Sequence, residues 1–135
     1  MLFIGMVLIA WGAALLAIGI ATSAVKVVLG PALEDEKRAE RRSIALLQTH
    51  LTPGQRLEFA TEYQFTVRGC MTGRPYKLTR DTVFNVEDLW SGTRLCFGPV
   101  EAGYFLPIGD LLLAQKIMLE CDEGTALAIA NRLQQ

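Results

Sequence analysis

Charge is missing from the first stretch of the chain. Leu2 to Val25 holds no Asp, Glu, Lys, Arg or His, and no Lys or Arg precedes Lys26. Histidine is nearly absent as well: His50 is the only one. A lone His without adjacent partners argues against a His-based metal cluster or a Ser-His or Cys-His relay. Near the end of a helix, it complements the carbonyl ends instead. Cysteine is sparse and odd in number, with Cys70, Cys96 and Cys121. Their spacing fits no zinc or C-x-x-C pattern. Unpaired buried thiols in a reducing compartment, or one disulfide plus a free thiol in an exported domain, both fit the count. Excess charge of one sign is lacking too. The net charge is −1, so no global field draws the chain to nucleic acid. The motifs G-x-S-x-G, H-E-x-x-H, the Walker loop and G-x-G-x-x-G are absent. No catalytic residue, cofactor or metal ligand is therefore assigned.

What is present begins with that same uncharged stretch, built from Leu, Ile, Val, Ala, Gly and Met with Phe3 and Trp11. About 20 apolar residues span a bilayer core of about 30 Å, and Leu2–Val25 is long enough to cross with some tilt. It is expected to be a transmembrane helix. A cleaved signal peptide is disfavoured: the n-region has no charge, the apolar core is too long, and Ala21-Thr22-Ser23-Ala24 is a poor cleavage site. Lys26, Lys37, Arg38, Arg41 and Arg42 all follow the stretch. The positive-inside rule then puts the N-terminus outside and the following domain in the cytoplasm, at the inner (cytoplasmic) membrane as a single-pass protein. Gly5, Gly12 and Gly19 recur every seventh residue. Small residues on one stripe let helices approach closely in lipid, so self-association through this seam is expected beside the bland alternative of ordinary membrane-helix composition.

Residues 1–29 are thus read as the anchor, 30–51 as a juxtamembrane helical stalk and 52–135 as a small α+β domain. Gly30-Pro31 breaks the first helix. The stalk carries Glu34, Asp35 and Glu36 early and Arg41 and Arg42 later, which suits the helix dipole. Glu34 and Arg38 are expected to attract at i,i+4. Ile44, Leu47 and Leu51 share one apolar face, with Leu46 beside them.

Thr52-Pro53-Gly54-Gln55 is a helix start: Thr at the cap, Pro first in the helix, Gln three residues after the cap. A short helix to about Thr61 follows, burying Leu57 and Phe59 or Ala60. From Tyr63 the apolar period becomes two, with Tyr63, Phe65 and Val67 alternating with polar residues. Strands are expected at 63–68, 76–80, 83–87 and 95–97, forming an antiparallel four-strand meander. A helix from Leu111 to about Glu120, capped by Gly109 or Asp110, and a last helix capped by Asp122 follow. The last helix is expected to turn Leu127, Ile129, Ala130 and Leu133 inward. This helical pair covers one face of the meander.

Gly73, Tyr76, Asn85-Val86, Leu95-Cys96, Pro107, Asp110, Leu113-Ala114-Gln115-Lys116, Leu119-Glu120, Glu123 and Ala130-Asn131 carry a resemblance over 52–135. With these residues the chain resembles a small domain of bacterial and phage proteins that has no assigned activity. The resemblance implies an α+β fold and no mechanism.

The candidate binding residues are Arg68, Arg74, Lys77 and Arg80 with Tyr76, on the first hairpin, where no acidic residue intervenes. Such a set binds anionic lipid or an acidic protein partner, or single-stranded nucleic acid by phosphate contact and stacking; beside a negative leaflet, nucleic acid is the less favoured. An exposed polar strand face is the plain alternative. The function expected is a membrane-anchored interaction or scaffold module. A tethered sensor or nucleic-acid-binding module is the alternative. A small tethered enzyme, with a pocket lined by Trp90, Cys96, Tyr104 and Phe105, ranks last.

Overall fold

The computed structural model describes residues 32–80, 83–98 and 106–133. The anchor stretch and its Gly5, Gly12 and Gly19 seam lie outside the described residues. So do Tyr104 and Phe105. Among the described residues no helix is long and apolar enough to cross a membrane. The chain divides into two units, Met1–Arg38 and Ala39–Gln135.

Residues 32–50 are helical (α1). In the part within the first unit, Lys37 pairs with Glu34 and Arg38 with Asp35, both at i,i+3 and well exposed. The expected Glu34–Arg38 attraction is replaced by these neighbours. Pairs this exposed contribute little to stability.

The second unit is α+β, as the change of period indicates. After α1 come α2 (Pro53–Glu62), β1 (Gln64–Arg68), β2 (Pro75–Thr79), β3 (Val86–Asp88), β4 (Arg94–Cys96), α3 (Ile108–Cys121), α4 (Glu123–Ile129) and β5 (Asn131–Leu133). The sheet has five strands in sequence order, every neighbouring pair antiparallel. The expectation of four strands is corrected here. Leu127, Ala130 and Leu133 sit at helical spacing, but Ala130 takes extended backbone at the end of α4. The chain then pairs Asn131, Arg132 and Leu133 with Cys96, Leu95 and Arg94. Those strand bonds satisfy backbone groups that a frayed helix end would leave to water. Ile129 and Leu133, expected inside, are exposed.

Alternation sorts the sheet into two faces. Phe65, Val67, Tyr76, Leu78, Val86 and Leu95 point inward and are buried. They meet Leu112 and Leu119 of α3, Leu47 and Leu51 of α1, Phe59 of α2 and Ala126 of α4 in one core. Burying a side chain such as Leu or Phe contributes about 1.5–3 kcal/mol by transfer from water. The α1 face read from sequence is the buried one, with Leu46 left outside. On the opposite sheet face the register lines up Thr66, Lys77, Glu87, Arg94 and Leu133 as a row across all five strands.

The start of α2 is as its sequence dictates. Thr52 and Gln55 form a reciprocal capping box: Gln55 N–H donates to Thr52 Oγ1 (3.3 Å) and Thr52 N–H to Gln55 Oε1 (3.1 Å). The helix ends differently from expectation. Tyr63, read as the first inward strand residue, is a left-handed cap with φ 56° and an exposed ring. Leu57, expected inside, is 67% exposed, while Gln55 is buried. The reason is that Gln55 and Glu58 of α2 turn toward the outer edge of β1. Gln55 Nε2 donates to Thr66 O (2.8 Å), and Thr66 N–H donates to Glu58 Oε2 (2.9 Å). Two side chains one helical turn apart thus occupy the outward-facing donor and acceptor of an edge strand.

α1 and α3 meet closely. A Cβ on Gly109 would lie 2.3 Å from the Ser43 carbonyl carbon, so only glycine fits at that crossing. Helix α3 begins earlier than expected: its N-cap is Pro107, and Gly109 and Asp110, expected to cap it, lie inside its first turn. Its first N–H, on Ile108, donates to Glu40 Oε2 of α1 (3.1 Å). A carboxylate at a helix N-terminus is favoured by the helix dipole.

Candidate functional site

The end of the sheet where the chain turns from β1 to β2, and again from β3 to β4, gathers most of the polar chemistry of the domain. Antiparallel topology places both turns at that same end.

The centre is Glu123, the first residue of α4, with no solvent exposure. Its carboxylate accepts from Met71 N–H (2.8 Å), Thr72 N–H (2.8 Å), Thr72 Oγ1 (2.5 Å) and Tyr76 OH (2.7 Å). The turn 69–73 can wrap it because of glycine at two places. A Cβ on Gly69 would sit 2.2 Å from Glu123 Oε1. Gly73 has φ +67°, a conformation that costs other residues energy. The turn is also tied to α3, Cys70 N–H donating to Leu119 O (3.0 Å). Burial works to raise the Glu123 pKa, but the hydrogen bonds from Thr72, Tyr76 and Met71 outweigh it and hold the group below its ordinary value. Tyr76 moves the other way: burial first, then its bond to the ionised Glu123, push it up to about 12. The carboxylate is therefore ionised and the phenol neutral near pH 7. The arrangement ties the first turn, β2 and α4 together.

Asp88 organises the second turn. It accepts from Trp90 N–H (2.9 Å), Ser91 Oγ (2.9 Å) and Arg74 (3.0 Å). Burial acts to raise its pKa; the bonds from Trp90, Ser91 and Arg74 prevail and lower it. Arg74 joins the two turns, because its Cζ also lies 5.5 Å from the Trp90 ring centroid.

A third centre lies inside the core and is neutral. Asn85 and Gln115 exchange both amide bonds (2.7 and 2.9 Å), and Gln115 Nε2 also donates to Phe97 O (2.7 Å). Among the described residues no buried side-chain nitrogen or oxygen lacks a partner.

The basic residues of the first hairpin do not form one cluster. Arg68 ends β1 and donates to Gly73 O (3.2 Å). Arg74 is held by Asp88. Lys77 pairs across the sheet with Glu87. Arg80 lies at the other end of the sheet, 3.5 Å from Glu40 and 5.9 Å from the Tyr63 ring centroid. Tyr76 is fully buried beneath the turn and offers no stacking face. Sequence reasoning placed all five on one surface. It missed Glu123 and Asp88, which look like ordinary helix-cap and turn acids until their partners from other elements are in place. Of the two readings of the cysteine count, the structure has three free thiols, but not buried ones: Cys70 and Cys121 are exposed and Cys96 is partly so. His50 is exposed at the end of α1. Among the described residues no cluster of His, Cys, Asp or Glu is arranged to hold a metal ion.

No known protein family, curated protein or solved structure matches this chain.

Proposed function

We propose that the protein is a single-pass membrane-anchored interaction or scaffold module. Its N-terminus lies outside the inner membrane and its α+β domain in the cytoplasm. The observation that carries this reading is the uncharged stretch Leu2–Val25, followed by Lys26, Lys37, Arg38, Arg41 and Arg42. Self-association through Gly5, Gly12 and Gly19 belongs to the same reading. The domain's chemistry supports a binding role. Glu123, Asp88, Asn85 and Gln115 spend their hydrogen bonds on joining segments of the fold. Met71 and Trp90, of types enriched where proteins meet partners, are among the exposed large apolar side chains. A nucleic-acid module on the first hairpin is less well supported, because Tyr76 is buried.

Cys70 and Cys121 are exposed and serve as native reporters of sidedness. A membrane-impermeant maleimide should leave them unlabelled in intact spheroplasts and label them after lysis. Labelling of intact spheroplasts would reverse the orientation. Release of the chain by alkaline carbonate would remove the anchor.

A further inference from the structure

The junction of α3 and α4 is closed by a residue from elsewhere in the chain. In an unbroken helix the N–H of residue 123 would donate to the carbonyl of residue 119. Here α3 ends at Cys121, α4 starts at Glu123, and Asp122 between them takes φ −148°. Cys70 occupies both groups that the break leaves over. Its N–H donates to Leu119 O (3.0 Å), and its Sγ accepts from Glu123 N–H (3.4 Å). Cys70 thus lies against the single backbone turn 119–123, and Cys121 is the middle residue of that turn. A helical turn rises about 5.4 Å, which is the size of the gap that a disulfide spans between Cα atoms, about 4.4–6.8 Å. Both thiols are free and exposed. The third, Cys96, stands on β4, separated from β1 by two strands of the sheet. An exposed thiol with a second thiol at hand goes on from sulfenic acid to a disulfide.

We propose that Cys70 and Cys121 are a reversible oxidation site, closing to an intramolecular disulfide when the domain meets hydrogen peroxide. One thiolate attacks a peroxide oxygen; the O–O bond breaks and leaves a sulfenic acid and hydroxide. The second thiolate attacks that sulfur, the S–S bond forms, and the S–O bond breaks with loss of a second hydroxide. The protons of the two thiols turn both hydroxides into water. Two thiols are thus oxidised to one disulfide while one peroxide is reduced to two waters. The bridge ties the turn 69–73 covalently to the end of α3. That turn supplies the Met71 and Thr72 N–H groups to Glu123, so oxidation latches a clasp otherwise held by hydrogen bonds. In a reducing compartment thiol–disulfide exchange reopens it, which makes the bridge transient. The site does not depend on the membrane anchor.

The test uses the full chain in detergent micelles, first reduced and then treated with hydrogen peroxide. Trypsin cuts after Arg68, Lys77, Arg94, Lys116 and Arg132, so the three cysteines fall in three different peptides. Mass spectrometry without reductant should find the Cys70 and Cys121 peptides joined, the intact chain lighter by two hydrogens, and Cys96 free to alkylate. Dithiothreitol should separate the two peptides again. Hydrogen exchange at Met71 and Thr72 should slow in the bridged chain. Cys121→Ser should lose both the joined peptides and the slowing, and Cys96→Ser should keep both. Thiols that stay free, are oxidised separately or join two chains would overturn the pair. A bridge that leaves exchange at Met71 and Thr72 unchanged would overturn the latch.

Discussion

Two of the buried polar centres, those of Glu123 and of Asn85 with Gln115, are built differently. The Glu123 centre is charged, sits at the end of the sheet, and takes its donors from a turn and a phenol. The Asn85–Gln115 centre is neutral and lies between the sheet and α3, where two amides satisfy one another and Gln115 reaches a backbone carbonyl besides. The difference follows from what surrounds each. A carboxylate needs several donors to remain ionised out of water, and a tight turn supplies them cheaply as successive N–H groups. An amide brings its own donor and acceptor, so a second amide of the right reach is nearly sufficient. The charged centre makes stability depend on pH; the neutral one does not.

Removing the charge tests this most severely. Glu123→Ala leaves the Met71 and Thr72 N–H groups and the Tyr76 hydroxyl without their acceptor and opens a void, and should cost about 3–5 kcal/mol in chemical denaturation. Glu123→Gln keeps the volume but turns a donor toward donors. It should lose stability at neutral pH and flatten the acid limb. The sign is fixed by the depressed pKa: the wild-type contribution is complete above the ordinary carboxylate value of 4.5 and fades as pH falls through the lower folded value. An acid limb as steep in Glu123→Gln as in wild type would assign the acid sensitivity to Asp88 instead.

Tyr76→Phe removes one bond to an ionised acceptor and should cost about 1.5–3 kcal/mol. Its pH signature lies at the alkaline end. The raised phenol pKa means that the stabilisation is intact below the ordinary value of 10.0 and is lost as pH climbs toward about 12. Phenolate absorbance should show this late ionisation in wild type and not in the variant.

For the neutral centre, Gln115→Leu should cost about 1–3 kcal/mol with no change in pH dependence, since Asn85 loses its partner and the Phe97 carbonyl its donor. Adding Asn85→Leu should cost less than the sum of the two single changes, as expected for groups that bond one another. Additive costs would show that the amide pair is not a unit. Smallest of all, Lys77→Ala breaks a partly exposed pair with Glu87 and should change stability by less than about 1 kcal/mol.

What the sequence disclosed follows from distance along the chain. The Thr52–Gln55 capping box, the Asp122 cap, with Thr125 N–H donating to its Oδ1 at 3.2 Å, and the alternation of the first hairpin from Phe65 on are all local, and they are found as read. The Glu123 clasp joins residues 51 and 52 positions apart, and no local pattern announces it. Gly69 was the available signal, a glycine before the turn where a Cβ has no room. Leu57 and Gln55 exchanged their expected places because a need of the neighbouring strand overrode the apolar pattern of α2. The last strand was hidden by Leu127, Ala130 and Leu133, whose spacing suits a helix as well as a chain that leaves one.

The side chains of Gln55 and Glu58 on Thr66 have a consequence for assembly. A sheet can lengthen only by accepting another strand along a free edge. Here one edge is occupied from within the chain, and β5 forms the other. Among the described residues, each molecule then has a single end for such joining. Edge-to-edge joining through β5 brings two such ends together and leaves none, so it stops at a pair, where a unit with two open edges would go on to a fibre. Glu58→Ala with Gln55→Ala would restore the second end.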